Sequence, residues 1–329
     1  MSANHAKKLA KAVLGGDRRA LAQAITLIES TRAEDRQASV KLLEKLSPRA
    51  GKSIRIGISG VPGVGKSTFI ESLGNHLIDA GHKVAVLAVD PSSEVSGGSI
   101  LGDKTRMEQL SKRPEAFIRP SPSGTTLGGV TRHTREAMLV AEAAGFDVLL
   151  VETVGVGQSE TAVAGMTDMF ILMLLPGGGD ELQGIKRGIV ELADLILVNK
   201  ADGDMKPAAG RSVTDYRNAL GFLHPRSEHW QVPVESYSAV EGSGIAEIWD
   251  IVLRYQTALS EAGEIERNRA HQAKAWMWSE VRDELVDDLK SDPDVKARVK
   301  QLEKEITDGK LSATVAAQQL IATFLKRGD

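Results

Sequence analysis

The residues most able to do chemistry form a glycine-rich run at positions 60–67, GVPGVGKS, which matches the pattern G-x-x-x-x-G-K-[ST] in full. Glycines at these spacings let the backbone curl so that successive N–H groups point at phosphate oxygens. Lys66 would place a positive charge between the β- and γ-phosphates, the Ser67 hydroxyl can bind Mg²⁺, and Thr68 can reach the α-phosphate. The run therefore predicts a nucleotide-binding loop. Its other predicted contacts are Gly60, Gly63, Val64 and Gly65.

A second motif indicates which base is bound. The run Asn199-Lys200-Ala201-Asp202 has the form N-K-x-D and comes directly after an apolar stretch. A carboxylate at Asp202 can accept hydrogen bonds from the ring N–H and the exocyclic amine of guanine together, a donor pair that adenine lacks. Ser238-Ala239 follows another apolar stretch and is typical of the segment whose main-chain N–H contacts guanine O6. The predicted ligand is GTP or GDP.

Acidic residues at three places could complete a Mg²⁺ site. Glu152 ends an apolar stretch and opens the run ETVG, where an ordinary GTPase carries Asp-x-x-Gly. A glutamate there can hold the ion through water, and Gly155 can offer its N–H to the γ-phosphate. Asp90 and Asp103 flank a segment rich in glycine and serine. Asp90 could instead start a turn with the proline that follows, and Asp103 could cap a helix.

Two further features concern catalysis. Val156 follows Gly155, so the glutamine that positions water in Ras-like enzymes is not in its usual place, and slow hydrolysis by the isolated protein is expected. The segment 176–186, PGGGDELQGIK, follows an apolar stretch and is predicted to lie on the same sheet edge as the nucleotide. Lys186 at its end could supply charge to the transition state, or could be a solvated helix lysine.

The elements that must position these residues are predicted from hydrophobic patterning. Six continuous apolar stretches separated by helical segments are typical of parallel strands covered on both faces. These stretches are residues 53–59, 83–89, 147–152, 168–174, 194–199 and 232–237. Residues 5–46 are helical in pattern, and after Gly263 only helical periodicity remains. We therefore predict an α/β protein with an N-terminal helical arm (1–50), a P-loop GTPase domain (51–263) and a C-terminal helical extension (264–329).

The C-terminal extension carries an apolar stripe that includes Trp278, Val281 and Leu285, at helical spacings of three and four residues. A short run of helices is poor at burying such a stripe by itself. The stripe could pack on the main domain or on a second copy of the chain.

Composition narrows the classes of function. A net charge of −3 provides no overall basic field for nucleic acid or an anionic membrane, so neither is expected as a partner. The chain has no cysteine, and its seven histidines lack the close spacing of zinc ligands. Its longest apolar run, residues 169–175, is well short of the roughly 20 residues that a membrane span needs. With no secretory pattern at the N-terminus, we expect a cytoplasmic protein.

These motifs resemble one narrow group of GTPases. The P-loop, Asp90-Pro91-Ser92-Ser93 and the run ETVGVGQSE at 152–160 resemble the MeaB/ArgK type, which includes the methylmalonic aciduria type A protein. The resemblance covers nearly the whole chain and implies a SIMIBI-type P-loop GTPase core with a mostly parallel sheet. It also implies a metallochaperone that gates adenosylcobalamin delivery to methylmalonyl-CoA mutase, protects that mutase and is stimulated by it. An adenosyltransferase is a further implied partner, and the C-terminal helices are implied to form a homodimer.

The resemblance assigns roles to individual residues. Phosphate binding is implied for Gly63, Gly65, Lys66, Ser67 and Thr68. Mg²⁺ is implied to bind Ser67, with Asp90, Asp103 and Glu152 around it. Guanine is implied to be recognised by Asn199, Lys200 and Asp202, in a pocket closed by Ser238 and Ala239. The segment 176–186 matches the switch through which the mutase stimulates hydrolysis, with Gln183 and Lys186 the residues that move inward. No D-x-H-x-x-G motif is present, so the cobalamin should belong to the partner.

Three other functions share some of these features. A nickel-delivery GTPase shares the glutamate variant, but such proteins deliver metal through cysteine and histidine. This chain has no cysteine and no histidine-rich tract. An ArgK-like protein kinase has no visible kinase catalytic loop here, although a P-loop phosphotransferase is compatible with the motifs. A nucleotide-stabilised scaffold would show no multiple turnover of GTP. The sequence also leaves open which acyl-CoA mutase is the partner.

Replacing Lys186 with alanine tests its predicted role. If this side chain supplies charge to the transition state when the mutase docks, Lys186→Ala removes the stimulation of GTP hydrolysis and leaves GTP binding intact. GTP turnover measured with and without the mutase checks this, alongside nucleotide affinity. Equal stimulation of the variant and the wild type would contradict the role.

Overall fold

The computed structural model describes residues 3–30, 32–89, 107–120, 127–153, 159–177, 187–222 and 225–325. It divides into two compact units, with the boundary between Arg269 and Ala270.

A parallel β-sheet forms the centre of the first unit. Its described strands are β1 (Ile54–Gly60), β2 (Val84–Val89), β3 (Ala116–Arg119), β4 (Val148–Thr153), β5 (Met169–Leu174), β6 (Leu195–Val198) and β7 (Val234–Ser236). Their order across the sheet is β3-β2-β4-β1-β5-β6-β7, and every neighbouring pair is parallel. The predicted α/β fold with six parallel strands is confirmed. The last strand is shorter than predicted and begins after Pro233, which has no N–H to donate to the ladder.

Strand β3 was not predicted from the sequence. It is a four-residue strand at the edge of the sheet, and only its first two residues, Ala116 and Phe117, are buried. An edge strand of this length has no continuous apolar run by which to recognise it.

Thirteen α-helices occur in the described residues. They are α1 (Ala3–Leu14), α2 (Arg18–Ile28), α3 (Ala33–Leu46), α4 (Lys66–Asp79), α5 (Glu108–Lys112), α6 (Leu127–Ala143), α7 (Ser159–Ala164), α8 (Arg187–Val190), α9 (Lys206–Leu220), α10 (Ile245–Glu261), α11 (Glu264–Ser291), α12 (Pro293–Thr307) and α13 (Ala313–Leu325). The helical pattern predicted at both ends of the chain is confirmed. Gly309 follows α12 with a φ of 69°, a left-handed conformation that suits glycine at a helix end.

Helices cover both faces of the sheet, which is why its central strands are mostly apolar. One face packs against helices α1, α2, α3 and α6. The other face packs against α4 and α10, and α9 covers the end of the sheet that contains β6 and β7. All six residues of β5 are buried. Helix α4 buries Phe69, Leu73 and Leu77, which recur every four residues on one side of the helix.

The amino ends of β1 and β5 are held by an arginine near the start of α11. Arg269 donates from Nε and Nη2 to the Asp168 carboxylate, at 2.7 and 2.5 Å, and from Nη1 and Nη2 to the carbonyl oxygens of Gly51 and Ser53, both at 2.6 Å. Asp168 also accepts the Arg55 N–H at 2.9 Å. Burial acts to lower the pKa of Arg269, but the Asp168 carboxylate raises the pKa overall. The guanidinium therefore stays charged and joins α11 to the segments that precede β1 and β5.

The second unit consists of the rest of α11 together with α12 and α13. Val295, Leu302 and Ala316 are buried within it. On α11, Trp278 is 67% exposed and Leu285 is 55% exposed, so the predicted apolar stripe is open to solvent in the single chain. Among the described helices, none combines the length and the apolar character required to cross a membrane.

Replacing Arg269 with alanine is expected to lower the free energy of unfolding by about 3 kcal/mol, because it leaves the buried Asp168 carboxylate without its cation. Urea denaturation followed by circular dichroism measures this change. Arg282→Ala serves as the control, since Arg282 is 71% exposed and contacts Asp283 and Ser279 of its own helix; its effect should stay within about 0.5 kcal/mol. Equal effects of the two variants would show that the Arg269 contacts do not stabilise the fold.

Candidate nucleotide site

The P-loop lies at the carboxyl end of β1, which ends at Gly60, and leads into α4, which begins at Lys66. Gly63 and Gly65 have φ values of 79° and 98°, a region that side chains disfavour. A Cβ atom on Gly65 would also overlap the Asn199 side chain. These glycines are therefore required by the path of the loop. The loop delivers the N-terminus of α4 to the edge of the sheet, an arrangement suited to a phosphate.

The lysine of the P-loop is directed into the loop. Lys66 is only 8% exposed, and its ammonium group donates to the carbonyl oxygens of Gly60 at 2.7 Å and Val61 at 3.3 Å. Its charge is thus held beside the backbone that is predicted to surround the β- and γ-phosphates. Val64, also in the loop, is fully buried and packs into the hydrophobic core, which fixes the loop to the rest of the domain. Thr68 is exposed on the first turn of α4.

Two oxygen-bearing side chains predicted to serve Mg²⁺ lie together. The Ser67 hydroxyl donates to Glu152 Oε1 at 3.1 Å, and Glu152 lies near the end of β4, the strand next to β1. A hydroxyl and a carboxylate are the hard oxygen ligands that Mg²⁺ prefers. No cluster of three or more histidine, aspartate or glutamate residues suited to a metal occurs in the described part of the chain. Mg²⁺ commonly binds one or two carboxylates together with substrate phosphates and water, so this pair fits such an ion.

Asn199 connects the phosphate and base sides of the site. Its carboxamide nitrogen donates to the Val64 carbonyl oxygen at 2.7 Å, and its carboxamide oxygen accepts the Ala239 N–H at 3.1 Å. One side chain therefore joins the P-loop, the end of β6 and the segment after β7. The sequence predicts that a main-chain N–H of Ser238-Ala239 donates to guanine O6. In this structure the Ala239 N–H donates to Asn199, so the contact with guanine stays a prediction.

The carboxylate predicted to recognise guanine is oriented by a serine. The buried Ser238 hydroxyl donates to Asp202 Oδ2 at 2.6 Å and accepts the Glu241 N–H at 3.1 Å. Lys200 is exposed and has a φ of 61°, an uncommon conformation for a residue with a side chain, which sets the turn between Asn199 and Asp202.

The structure thus brings together the predicted P-loop residues, Glu152, the N-K-x-D residues and Ser238-Ala239 at one edge of the sheet. Five predicted site residues lie outside the described residues: Asp90, Asp103, Gly155, Gln183 and Lys186. Sequence reasoning missed Ser72 of α4, whose hydroxyl donates to the Ala239 carbonyl oxygen at 2.9 Å and fixes that segment. No motif includes Ser72; its only signal is a polar residue one turn beyond the P-loop.

Comparison with known proteins decides the family. A family model described as "Methylmalonyl Co-A mutase-associated GTPase MeaB" matches residues 21–294. This chain belongs to the MeaB family. It is 56% identical to a putative GTPase of Caulobacter vibrioides, over 95% of each chain. It is 46% identical to the mitochondrial methylmalonic aciduria type A homolog of Mus musculus, over 97% of this chain and 80% of that relative.

A solved structure supports the same assignment. The crystal structure of a LAO/AO transport system kinase matches with a TM-score of 0.76 and 37% identity, over 99% of each chain. The GTPase ArgK of Escherichia coli is 46% identical, over 93% of this chain and 92% of its own. The MeaB-family chain is accordingly a P-loop GTPase that binds guanine nucleotide and hydrolyses GTP.

Asp202→Asn tests whether Asp202 recognises guanine in this MeaB-family GTPase. An amide cannot accept from both guanine donors, so GDP affinity should fall about 30-fold, and preference should shift toward xanthine nucleotides, which carry an acceptor oxygen where guanine carries its amine. Displacement of a fluorescent GDP analogue by GDP or XDP measures both affinities. Asp204→Asn, an exposed carboxylate two residues away, is the matched control and should bind GDP as the wild type does. Unchanged GDP affinity in Asp202→Asn would contradict the assignment.

Proposed function

We propose that this GTPase is a chaperone of adenosylcobalamin-dependent methylmalonyl-CoA mutase, which gates delivery of the cofactor to the mutase and protects the mutase from inactivation. The observation that carries the proposal is the family match over residues 21–294, whose description names a mutase-associated GTPase. The 46% identity to a methylmalonic aciduria type A homolog over 97% of this chain supports it.

The site geometry supports a nucleotide switch of this kind. Lys66 would bind and orient the phosphates, the backbone of Gly63 to Gly65 would donate N–H groups to them, and Asp202 would hold the guanine. Ser67 and Glu152 would hold Mg²⁺, which when bound would offset negative charge on the β- and γ-phosphates. Glu152 lies two residues before the segment 154–158, which is predicted to sense the γ-phosphate through Gly155. GTP and GDP would therefore differ in the contact that they make with Gly155, which is the difference that a gate requires.

Lys186 and Gln183 are proposed to act when the mutase docks. With Val156 in place of the usual glutamine, the isolated protein is proposed to hydrolyse GTP slowly. A partner that brings a positive charge or a water-orienting amide to the γ-phosphate would then accelerate hydrolysis. This arrangement makes GTP turnover report whether the mutase is present.

The second unit is proposed to form a homodimer. Trp278, Val281 and Leu285 make an exposed apolar stripe along one side of α11. Exposed stripes of this kind in soluble proteins commonly mark an interface with another chain. A second copy would bury the stripe in both chains.

GTP turnover measured with and without a purified adenosylcobalamin-dependent methylmalonyl-CoA mutase tests the proposed function. Mg²⁺ is held constant, and ATP is the control substrate. We expect slow turnover alone and marked stimulation by the mutase with GTP only. Slow turnover that the mutase leaves unchanged would remove the proposed partner but keep the guanine site.

The same reaction separates hydrolysis from protein phosphorylation, which the name of the LAO/AO transport system kinase raises. GTP labelled in the γ-phosphate should release its label as inorganic phosphate. Label transferred to protein in proportion to GTP consumed would instead favour a kinase.

Leu285→Glu together with Val281→Glu should convert the proposed dimer to a monomer, because two carboxylates cannot be buried in an apolar interface without a large desolvation cost. Light scattering coupled to size-exclusion chromatography measures the mass. Lys300→Glu, a charge change at an exposed position of α12, is the control and should remain a dimer. A wild-type protein that is monomeric over the micromolar range would contradict this part of the proposal.

A further inference from the structure

A buried pair of hydroxyl groups lies directly behind the nucleotide edge of the sheet. Thr153 Oγ1 donates to Ser59 Oγ at 2.8 Å. Thr153 is 0% exposed and Ser59 is 1% exposed, so neither hydroxyl can exchange this bond for one with bulk water. A buried hydroxyl without a partner costs about 1–3 kcal/mol, which makes the pair a strong constraint on the two strand ends.

Each of the two residues is the neighbour in the chain of a predicted site residue. Ser59 precedes Gly60, where the P-loop begins, and Thr153 follows Glu152. The backbone register between β1 and β4 ends with the pair Ile58 and Glu152. The hydroxyl pair is one step further along both strands, so a side-chain bond connects them where the register ends.

Thr153 is also tied to the strand on its other side. In β2, Val89 is paired with Thr153, and the next residue along the chain is Asp90. Thr153 therefore lies between the ends of β1 and β2. Its hydroxyl is bonded to β1, which leads into the P-loop, and its backbone pairs with β2, which leads to Asp90.

Successive side chains of a strand point to opposite faces of the sheet. Glu152 is directed to the face where its carboxylate meets the Ser67 hydroxyl at 3.1 Å, and Thr153 is directed to the other face. The Thr153 bond thus limits rotation and displacement of the end of β4 without itself occupying the space next to Ser67. A displacement of about 1 Å at a reacting centre can lower a rate by about 100-fold, so a constraint here matters for function.

We propose that Thr153 is a positioning residue of the GTPase, which through Ser59 fixes the distance from the Glu152 carboxylate to Ser67 and so sets the affinity of the site for Mg²⁺ with guanine nucleotide. The inference rests on the proposed Mg²⁺ site. It assigns to the hydroxyl of Thr153 a function in metal affinity, beyond its contribution to stability.

Thr153→Val tests the inference, since valine keeps the shape of threonine and removes the hydroxyl. The readout is the Mg²⁺ concentration that half-maximally slows release of a fluorescent GDP analogue, which requires no catalysis. We expect this concentration to rise about 10-fold in Thr153→Val, the size typical of lost support for a metal ligand. Thr153→Ser keeps the hydroxyl and should restore the wild-type value. KM and kcat for GTP are measured in parallel, and kcat at limiting Mg²⁺ should fall.

Two further variants separate positioning from stability. Thr134→Val removes another buried threonine hydroxyl, which donates within α6 to the Val130 carbonyl oxygen at 2.8 Å; it should change the melting temperature but not the Mg²⁺ requirement. The double variant Ser59→Ala with Thr153→Val removes both hydroxyls of the pair, so neither is left without the other, and should recover stability relative to Thr153→Val. Its Mg²⁺ requirement should stay raised.

Three results would overturn the inference. The first is a folded Thr153→Val protein with the wild-type Mg²⁺ requirement, and the second is a double variant that regains both stability and the wild-type requirement. The third is a wild-type protein whose release of the GDP analogue does not respond to Mg²⁺, which would remove the proposed metal site as well. The first two would leave that site standing.

Discussion

The carboxamide of Asn199 is the contact on which the nucleotide edge of the molecule depends. It is a short side chain at the end of β6, yet it holds the Val64 carbonyl oxygen in the P-loop and the Ala239 N–H after β7 at the same time. Its position in turn explains Gly65, because any side chain there would meet the carboxamide. The phosphate and base sides of the pocket are therefore one structure. Two hydrogen bonds of one side chain connect them.

At the other end of the strands, the amino ends of β1 and β5 are held by an ion pair. Arg269 and Asp168 form a forked ion pair whose remaining donors are used by the carbonyl oxygens before β1. The strands β1 and β5 start from this pair, and β1 ends at the P-loop. Neutral hydrogen bonds at one edge and an ion pair at the other thus fix both ends of the strand that carries the phosphate loop. The apolar interior between them provides the spacing.

Much of the fold and part of the site could be predicted from the sequence. Strands such as β5 are buried on both faces and so show continuous apolar runs, and GVPGVGKS needs its glycines for backbone reasons that the spacing reveals. Strand β3 was missed because an edge strand is only half buried. The supporting contacts could not be predicted, since Thr153 and Ser59 are 94 residues apart, and Ser238 and Asp202 are 36 apart. Only the parallel packing of strand ends brings such residues together.

The location of Arg269 has a consequence for shortening the protein. The periodicity of the sequence places the start of the C-terminal extension after Gly263, which invites removal of everything beyond that residue. Such a truncation would delete Arg269, leave the Asp168 carboxylate buried without its cation and free the carbonyl oxygens of Gly51 and Ser53. A shortened enzyme should therefore end beyond Arg269, where the first unit ends. If a protein truncated after residue 263 lost GTP binding, the loss could be explained by the missing Arg269 contacts. It would therefore not show that the C-terminal helices contribute to GTP binding.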